Sequence, residues 1–513
     1  MVVDLDKLPT DPAELQQLVR GLAETVVEVT HRCERAEARL DELLRKRFGR
    51  SAETIDAAQL RLFAQEFLPD LEAQSKSEDV LSSKPRKRGR KHGRGQFPEH
   101  LDRITHEYDI AEEDRACPEC GTERLPFGDE KSEQLDYEPA KVFVIVHRRK
   151  KYACPVCLGQ VITAEKPVQA IEKCAAAPGL VAHIAVGKYS DHLPLHRQEK
   201  ILKRNGVQLR RSTTCDWMRQ CADALAPLHR LMHERVVASS WLHTDDTPVD
   251  VQDPAHAKKM KQGRFWVYSG DDEHPYDVFD YTPSRAREGP RAFLEKFGGY
   301  LHADAYAGYQ ELYETRDIIE VACWAHARRK FYEARLSAVG PAHQAIAMIK
   351  QLYAIEVEAK ERELDIEGIR TLRQEKTVPL LDRFKAWADE QAVVALPKSP
   401  IGEALQYVLR RWASFTRYTT DGRLSIDNNV AERALRSVAI GRKNWLFCGS
   451  DRGGRTASIL FSMIATCGRH DVDPYAWLRD TLDRIATIRL NDLELLLPDR
   501  WTDSRTPATT ASA

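Results

Sequence analysis

Past Val236 the sequence changes from helical spacing to β-rich runs, and the order of those runs limits the possible folds more than any other feature. Residues 236–251 (VVASSWLHTDDTPVDV), 265–269, 276–281 and 300–303 are rich in β-branched and aromatic side chains. A helix-like segment, 285–297, precedes the fourth run, and 318–323 makes a fifth strand. A chain of 513 residues also exceeds what one hydrophobic core usually holds, so this region is expected to be one domain among several.

Three strands, then helix, strand, helix and strand, is the order of a ribonuclease H-like α/β core. In that layout Asp245 lies on the first strand and Asp304 at the end of the fourth, neighbours in the sheet although 59 residues apart. A third acid comes from residues 425–454 (SIDNNVAERALRSVAIGRKNWLFCGSDRGG). Asp427 and Asn428 are good N-cap residues, and Val430, Leu435 and Val438 fall at helical spacing, which puts Glu432 in a first turn. Three carboxylates on adjacent elements suit a pair of Mg2+ (or Mn2+) ions, hard cations that take oxygen ligands and leave positions for water and phosphate. Two such ions can activate an attacking oxygen and stabilise a leaving one in displacement at phosphorus. Around Glu432 stand Arg433, Arg436, Arg442 and Lys443, with Trp445 and Phe447, a mixture expected beside a nucleic-acid backbone. An amphipathic helix with a solvated basic face gives the same local pattern.

Upstream, residues 15–43 carry Leu15, Val19, Leu22, Val26, Val29, Cys33, Ala36, Leu40 and Leu43 in steps of four and three. This heptad seam predicts a coiled coil and a dimer. Residues 84–94 (KPRKRGRKHGR) contain Lys84, Arg86, Lys87, Arg88, Arg90 and Lys91 among seven cations and no acid, a basic linker able to lie along phosphates. Cys117 and Cys120, then Cys154 and Cys157, form two Cys-x-x-Cys knuckles separated by 33 residues, and four thiolates satisfy a tetrahedral structural Zn2+ ion. Strand-like sequence at 141–152 fills the gap. Residues 179–225 read as short helices: one stops at Asn205-Gly206, another begins after Ser212 or Thr213, and Arg210 and Arg211 stand at the second helix's start. That arrangement suits a helix-turn-helix reader of DNA, as it does any small helical hairpin.

The net charge of −1 says little about partners, because the charge asymmetry is local. No apolar run approaches a membrane span, the N-terminus lacks a basic region followed by an apolar one, and the eleven cysteines do not read as a secreted disulfide framework. The expectation is a cytoplasmic protein with no membrane contact.

Several of these stretches together resemble the insertion sequence 66 family of DDE-type transposases. The resemblance rests on RFGRSAE at 47–53, the basic linker, the zinc knuckles, LHTDDTPV with Asp245, LHADAYAGY with Asp304, CWAHARRKF from Cys323, the long motif with Glu432, and DPYAWLRDTL and LLPDRW near the end. One departure is visible: the family usually carries Asp-Glu-Thr where this chain has Asp245-Asp246-Thr247. Alternation along a strand turns Asp246 to the face opposite Asp245.

The resemblance implies that Asp245, Asp304 and Glu432 bind the ions. Water and then a freed 3′-hydroxyl would attack phosphodiesters at the element's terminal inverted repeats and at target DNA. It also implies a helical insertion at about 327–423, whose Trp387 and Trp412 read more readily as core than as stacking partners for a base. Small accessory proteins of the same element are further possible partners. Cys323 and His326 resemble a Cys-x-x-His element near the active site of transposases with helical insertions, and a positioning role is preferred over a zinc pair.

The whole chain is thus expected to be multidomain α+β: an N-terminal helical region (1–83), basic linker (84–100), zinc module (101–165), helical DNA-binding region (166–235), catalytic domain (236–455), C-terminal helical domain (456–501) and a disordered tail (502–513). Two other readings use the same residues: a ribonuclease H-like nuclease that does not transpose, and a catalytically silent DNA-binding relic.

Overall fold

The computed structural model describes residues 174–501 without a break, 168–172, and the short pieces 142–145, 151–152 and 162–163. Among the described residues, every helix and paired strand lies in one compact unit, from residue 144 onward. The heptad arm, the basic linker with Lys84, Arg86, Lys87, Arg88, Arg90 and Lys91, the four knuckle cysteines and the tail all lie outside the described residues. Among the described residues of the expected strand at 141–152, Lys151–Tyr152 (β1) is paired, antiparallel to Ile162–Thr163 (β2), and residues 142–145 form no strand.

Three helices follow: α1 (Pro178–Tyr189), α2 (Leu195–Arg204) and α3 (Arg211–Val236). The stop at Asn205-Gly206 is real, with Gly206 at φ 78°, a conformation glycine adopts without steric cost. The expectation of short helices fails at α3, which is 26 residues long and carries Pro227 inside it. Its apolar positions, from Trp217 through Met218, Cys221, Leu225, Leu228 and Met232 to Val236, recur every three or four residues, so burial continues the helix through the proline. Val236 therefore ends a helix and does not start a strand.

The sheet begins at β3 (Trp241–Gln252), followed by β4 (Met260–Ser269), β5 (Asp277–Thr282), α4 (Glu288–Phe293), β6 (Gly299–Ala303), α5 (Gln310–Thr315) and β7 (Ile318–Ala322). Its order is β5-β4-β3-β6-β7; β4 is antiparallel to both neighbours, and β6 and β7 run parallel with β3. The strand β4 holds Phe265, Trp266, Val267 and Tyr268 with no exposed surface, as expected of a strand covered on both faces.

After β7 come α6 (Trp324–Ala334), α7 (Val339–Glu361), α8 (Ile366–Leu372), a π turn (Arg373–Thr377), α9 (Val378–Val394), α10 (Pro400–Leu409) and α11 (Trp412–Thr416). This helical interval has its own aromatic centre, in which Trp412 stacks on Phe384 and Trp324 meets Phe415 at 4.9 Å. Trp387 donates to Gln344 at 2.8 Å and packs on Phe384. Buried Arg373 closes the interval, pairing with Glu356 at 2.7 Å and donating to the carbonyls of Tyr418 and Asp421.

The chain then returns through α12 (Asn429–Trp445), β8 (Phe447–Cys448), α13 (Asp451–Arg469) and α14 (Pro474–Arg484). The two-residue β8, which the sequence did not announce, pairs parallel with β3 at Asp250 and Val251. On α13, Ser462 and Thr466 accept from the main-chain N–H groups of Phe279 and Asp277, so the outer edge of β5 is covered by hydroxyls. One apolar core joins residues of α1 and α3 with the sheet, α12, α13 and α14.

Candidate active site

Register places the first two acids. The pairing of β3 with β6 aligns His243 with His302, so two residues further along each strand Asp245 comes opposite Asp304, just past the end of β6. Carboxylate oxygens of Asp245, Asp246 and Asp304 lie within 4.8 Å of one another. Burial, and next the charge of Asp304, push the Asp245 carboxyl up to about 7, which is the response of an acid drawn out of water beside another acid.

Strand alternation predicts Asp246 on the face of β3 opposite Asp245. The faces do alternate: His243 and Thr247 meet α12, whereas Thr244 reaches Tyr309 and Asp246 meets Arg264 and Arg285. Yet the Asp246 carboxylate still reaches the group, because β6 ends at Ala303 and Asp304 stands beyond its pairing with β3, where Arg285 bridges it to Asp246. Arg264 donates to its Oδ2 at 2.9 Å, and Arg285 donates to Oδ1 from Nη2 at 2.7 Å and from Nε at 3.0 Å. The same Arg285 Nη2 is 3.4 Å from Asp304 Oδ2, and its guanidinium lies over the Tyr306 ring.

Glu432 sits in the first turn of α12, as its spacing from Asn428 requires. Its near neighbours are Cys323 and His326, with one ligand atom of each of the three within 4.8 Å; it is not part of the aspartate group at that distance. His326 Nδ1 is 3.7 Å from Glu432 Oε1, and both atoms are buried without a hydrogen-bond partner. The two groups adjoin, since the Glu432 charge helps raise Asp245, and His326, held below its usual range chiefly by burial, feels both Glu432 and Asp304. An unpartnered buried carboxylate oxygen beside two converging aspartates is a donor set that fits a hard divalent cation.

Asn428 holds this arrangement in place. It occupies the N-cap position, but its side chain does not cap the helix. Instead Nδ2 donates to the Thr244 carbonyl at 2.8 Å, Oδ1 meets His243 Nδ1 at 3.0 Å, and its main-chain N–H points at Cys323 Sγ at 3.2 Å. Cys323 is buried, its thiol pushed up to about 12 by desolvation, so it serves here as a neutral acceptor. His243 in turn stacks on His302 at 4.2 Å.

Of the expected DNA contacts, Arg433, Arg436 and Lys443 are exposed along α12, and Arg210 and Arg211 are exposed at the start of α3. Arg442 is turned inward and donates to Thr247 Oγ1 and the Pro248 carbonyl, which joins α12 to β3. Sequence reading passes over Asn428 as more than a cap, and over Arg264 and Arg285 altogether. Neither arginine has a local pattern that marks it; each is assigned by strand pairing and by the turn after β5. Among the described residues no helix is long and apolar enough to cross a membrane.

Comparison with known proteins agrees along the chain. A family model described as "Transposase IS66 family" matches residues 173–456, one described as "IS66 C-terminal element" matches 462–498, and "Transposase C of IS166 homeodomain" matches 35–105. A fourth, "zinc-finger binding domain of transposase IS66", matches 114–157 and contains Cys117, Cys120, Cys154 and Cys157. Two proteins of Sinorhizobium fredii, the uncharacterized proteins y4qI and y4hP, are 35% and 34% identical. The first alignment covers 83% of this chain and 80% of the relative, the second 78% and 76%.

Proposed function

The chain belongs to the insertion sequence 66 transposase family, and from that premise we propose that it cuts DNA at the ends of an insertion element and joins the freed ends to a target. The sheet order β5-β4-β3-β6-β7, with β4 alone reversed, supports a ribonuclease H-like core for this chemistry. The observation that carries the reading is the convergence of Asp245 and Asp304 across the β3–β6 register with Glu432 delivered beside them by α12.

In this reading Asp245, Asp304 and Glu432 hold divalent ions, Mg2+ or Mn2+, which supply activation of the attacking oxygen and stabilisation of the leaving one. The protein's own residues supply position. Asn428 and Arg442 fix α12 against β3, His326 faces Glu432, and Arg433, Arg436 and Lys443 offer charge to the DNA backbone. Four thiolates in the 114–157 match would hold structural zinc, and the heptad arm would pair two chains so that two DNA ends are held together.

Purified protein, Mg2+ and a duplex carrying the element's end sequence, with nicks mapped to the nucleotide, test this directly. Cleavage and joining that vanish in Asp304→Asn are expected; joining that survives in that variant defeats the reading. Cleavage without joining would favour a nuclease on the same fold.

A further inference from the structure

Where α1, α2 and α3 meet the end of α12, β8 and the start of α13, they line a half-open cavity of about 700 Å³, within the range of ligand pockets. It is separate from the carboxylates, but it is built on the same two elements. Trp445 is thirteen residues beyond Glu432 on α12, about 20 Å at 1.5 Å per residue. Its neighbour β8 pairs with β3 at Asp250 and Val251, five and six residues beyond Asp245, again about 20 Å at 3.3 Å per residue. A DNA strand running from the acids along these elements would span that distance in about six nucleotides, at 3.4 Å per nucleotide of a B-form strand.

The lining has two characters. Leu195, Met218, Trp445 and Phe447 make an apolar and aromatic wall, and Lys188 and Arg211 bring cations, as does Arg452, which is paired with Asp223 at 3.4 Å. Leu446, at φ 67°, holds a conformation that bulky residues rarely adopt, and it turns the chain so that the flanking Trp445 and Phe447 both reach the cavity. The Lys188 ammonium lies 4.9 Å from the Tyr189 ring and faces the thiols of Cys215 and Cys448, none of them a carboxylate. The acid in the wall, Asp216, is already paired with Arg219 at 2.7 Å. What remains is aromatic surface for a flat ring and positive charge for an anion, the combination by which proteins hold unpaired nucleotides.

We infer that this cavity is a binding site for a single-stranded nucleotide of the processed DNA end, its base against Trp445 and Phe447 and its phosphate on Lys188. The site rests on the DNA-processing reading, which names no such pocket.

The test is anisotropy with the full-length chain and two fluorescein-labelled probes: a blunt duplex of the element's end, and the same duplex with a six-nucleotide single-stranded extension, made in both polarities. One stacked base contributes about 1–3 kcal/mol, so wild type should prefer one extended probe about tenfold. Phe447→Ala, at a residue 41% exposed, should reduce that preference below about twofold by weakening the extended probe more than the blunt duplex. Lys188→Gln should do the same and also lessen the salt dependence of the extended probe. Absence of any preference in the wild type, or a preference that survives both substitutions, overturns the site. Equal weakening on both probes overturns it too, because the cavity would then hold duplex backbone. A chain that cuts neither probe but shows the Phe447-dependent preference supports the site while the catalytic reading falls.

Discussion

Asn428 Nδ2 donates to the main-chain carbonyl of Thr244 at 2.8 Å, which ties the start of the Glu432 helix to the residue immediately before Asp245. The bond joins positions 184 apart in sequence. With the contact from Asn428 Oδ1 to His243, it fixes the start of α12 against β3.

Asn428→Ala should therefore act on chemistry before it acts on DNA binding. The substitution leaves the Thr244 carbonyl and a His243 ring nitrogen without these partners, a loss of about 1–3 kcal/mol for each in a buried site. Cleavage by folded protein should fall by about 10- to 100-fold with end-binding affinity within about twofold. Equal losses in binding and cleavage would show that Asn428 supports the fold generally.

Much of the core is legible in the sequence, and the gaps share a cause. The five main strands fall within a few residues of their expected places because β-branched and aromatic runs are a local signal, and β3 and β6 are the expected neighbours, with Asp245 on the first and Asp304 just past the end of the second. A strand start at Val236 is a misplacement, because a short apolar run fits a buried helix end equally well. The pair β8 is too short to have a pattern. Asn428 looks like a cap because asparagine there commonly caps, and only the tertiary approach of β3 gives its side chain a better use. For Asp246, alternation fixes the face of the sheet but not the reach of its carboxylate toward Asp304, which lies past the end of β6.

Asp245 predicts a pH effect on stability with a definite sign. Its folded carboxyl is raised to about 7 by burial and Asp304, so protonation favours the folded chain. The contribution is fully present below the ordinary aspartate range near 4 and is lost as pH rises through about 7. Asp245→Asn in chelated protein should raise stability at pH 8, by about 4 kcal/mol at most, and make little difference at pH 4. Added Mg2+ should stabilise the wild type at pH 8 and the variant much less. A thermal-melt difference that does not change with pH would contradict this account.

Cys117→Ser addresses the zinc module separately from the catalytic acids. Zinc content by elemental analysis should fall from about one ion per chain to near zero, since a tetrahedral site that loses one thiolate is incomplete. End binding should weaken, and cleavage of DNA already bound should change less. Zinc at the wild-type level in the variant would remove the four-cysteine site.

Arg285 and Asp246 should behave as a balanced pair at the mouth of the acids. Arg285 donates twice to Asp246 and stands 3.4 Å from Asp304, so Asp246 draws its charge away from a carboxylate proposed to bind metal. In Asp246→Asn the guanidinium loses its main anionic partner and should move toward Asp304, competing there with a divalent ion. The Mg2+ concentration for half-maximal cleavage should rise about tenfold. Arg285→Gln removes the competitor and leaves an extra carboxylate beside the pair, so the same midpoint should fall. The double variant should return near the wild type, because each change removes what the other was balancing. Shifts in the same direction for the two single variants would mean that the pair serves only to hold the β5–α4 turn, and Mg2+ titration of cleavage rates distinguishes the outcomes.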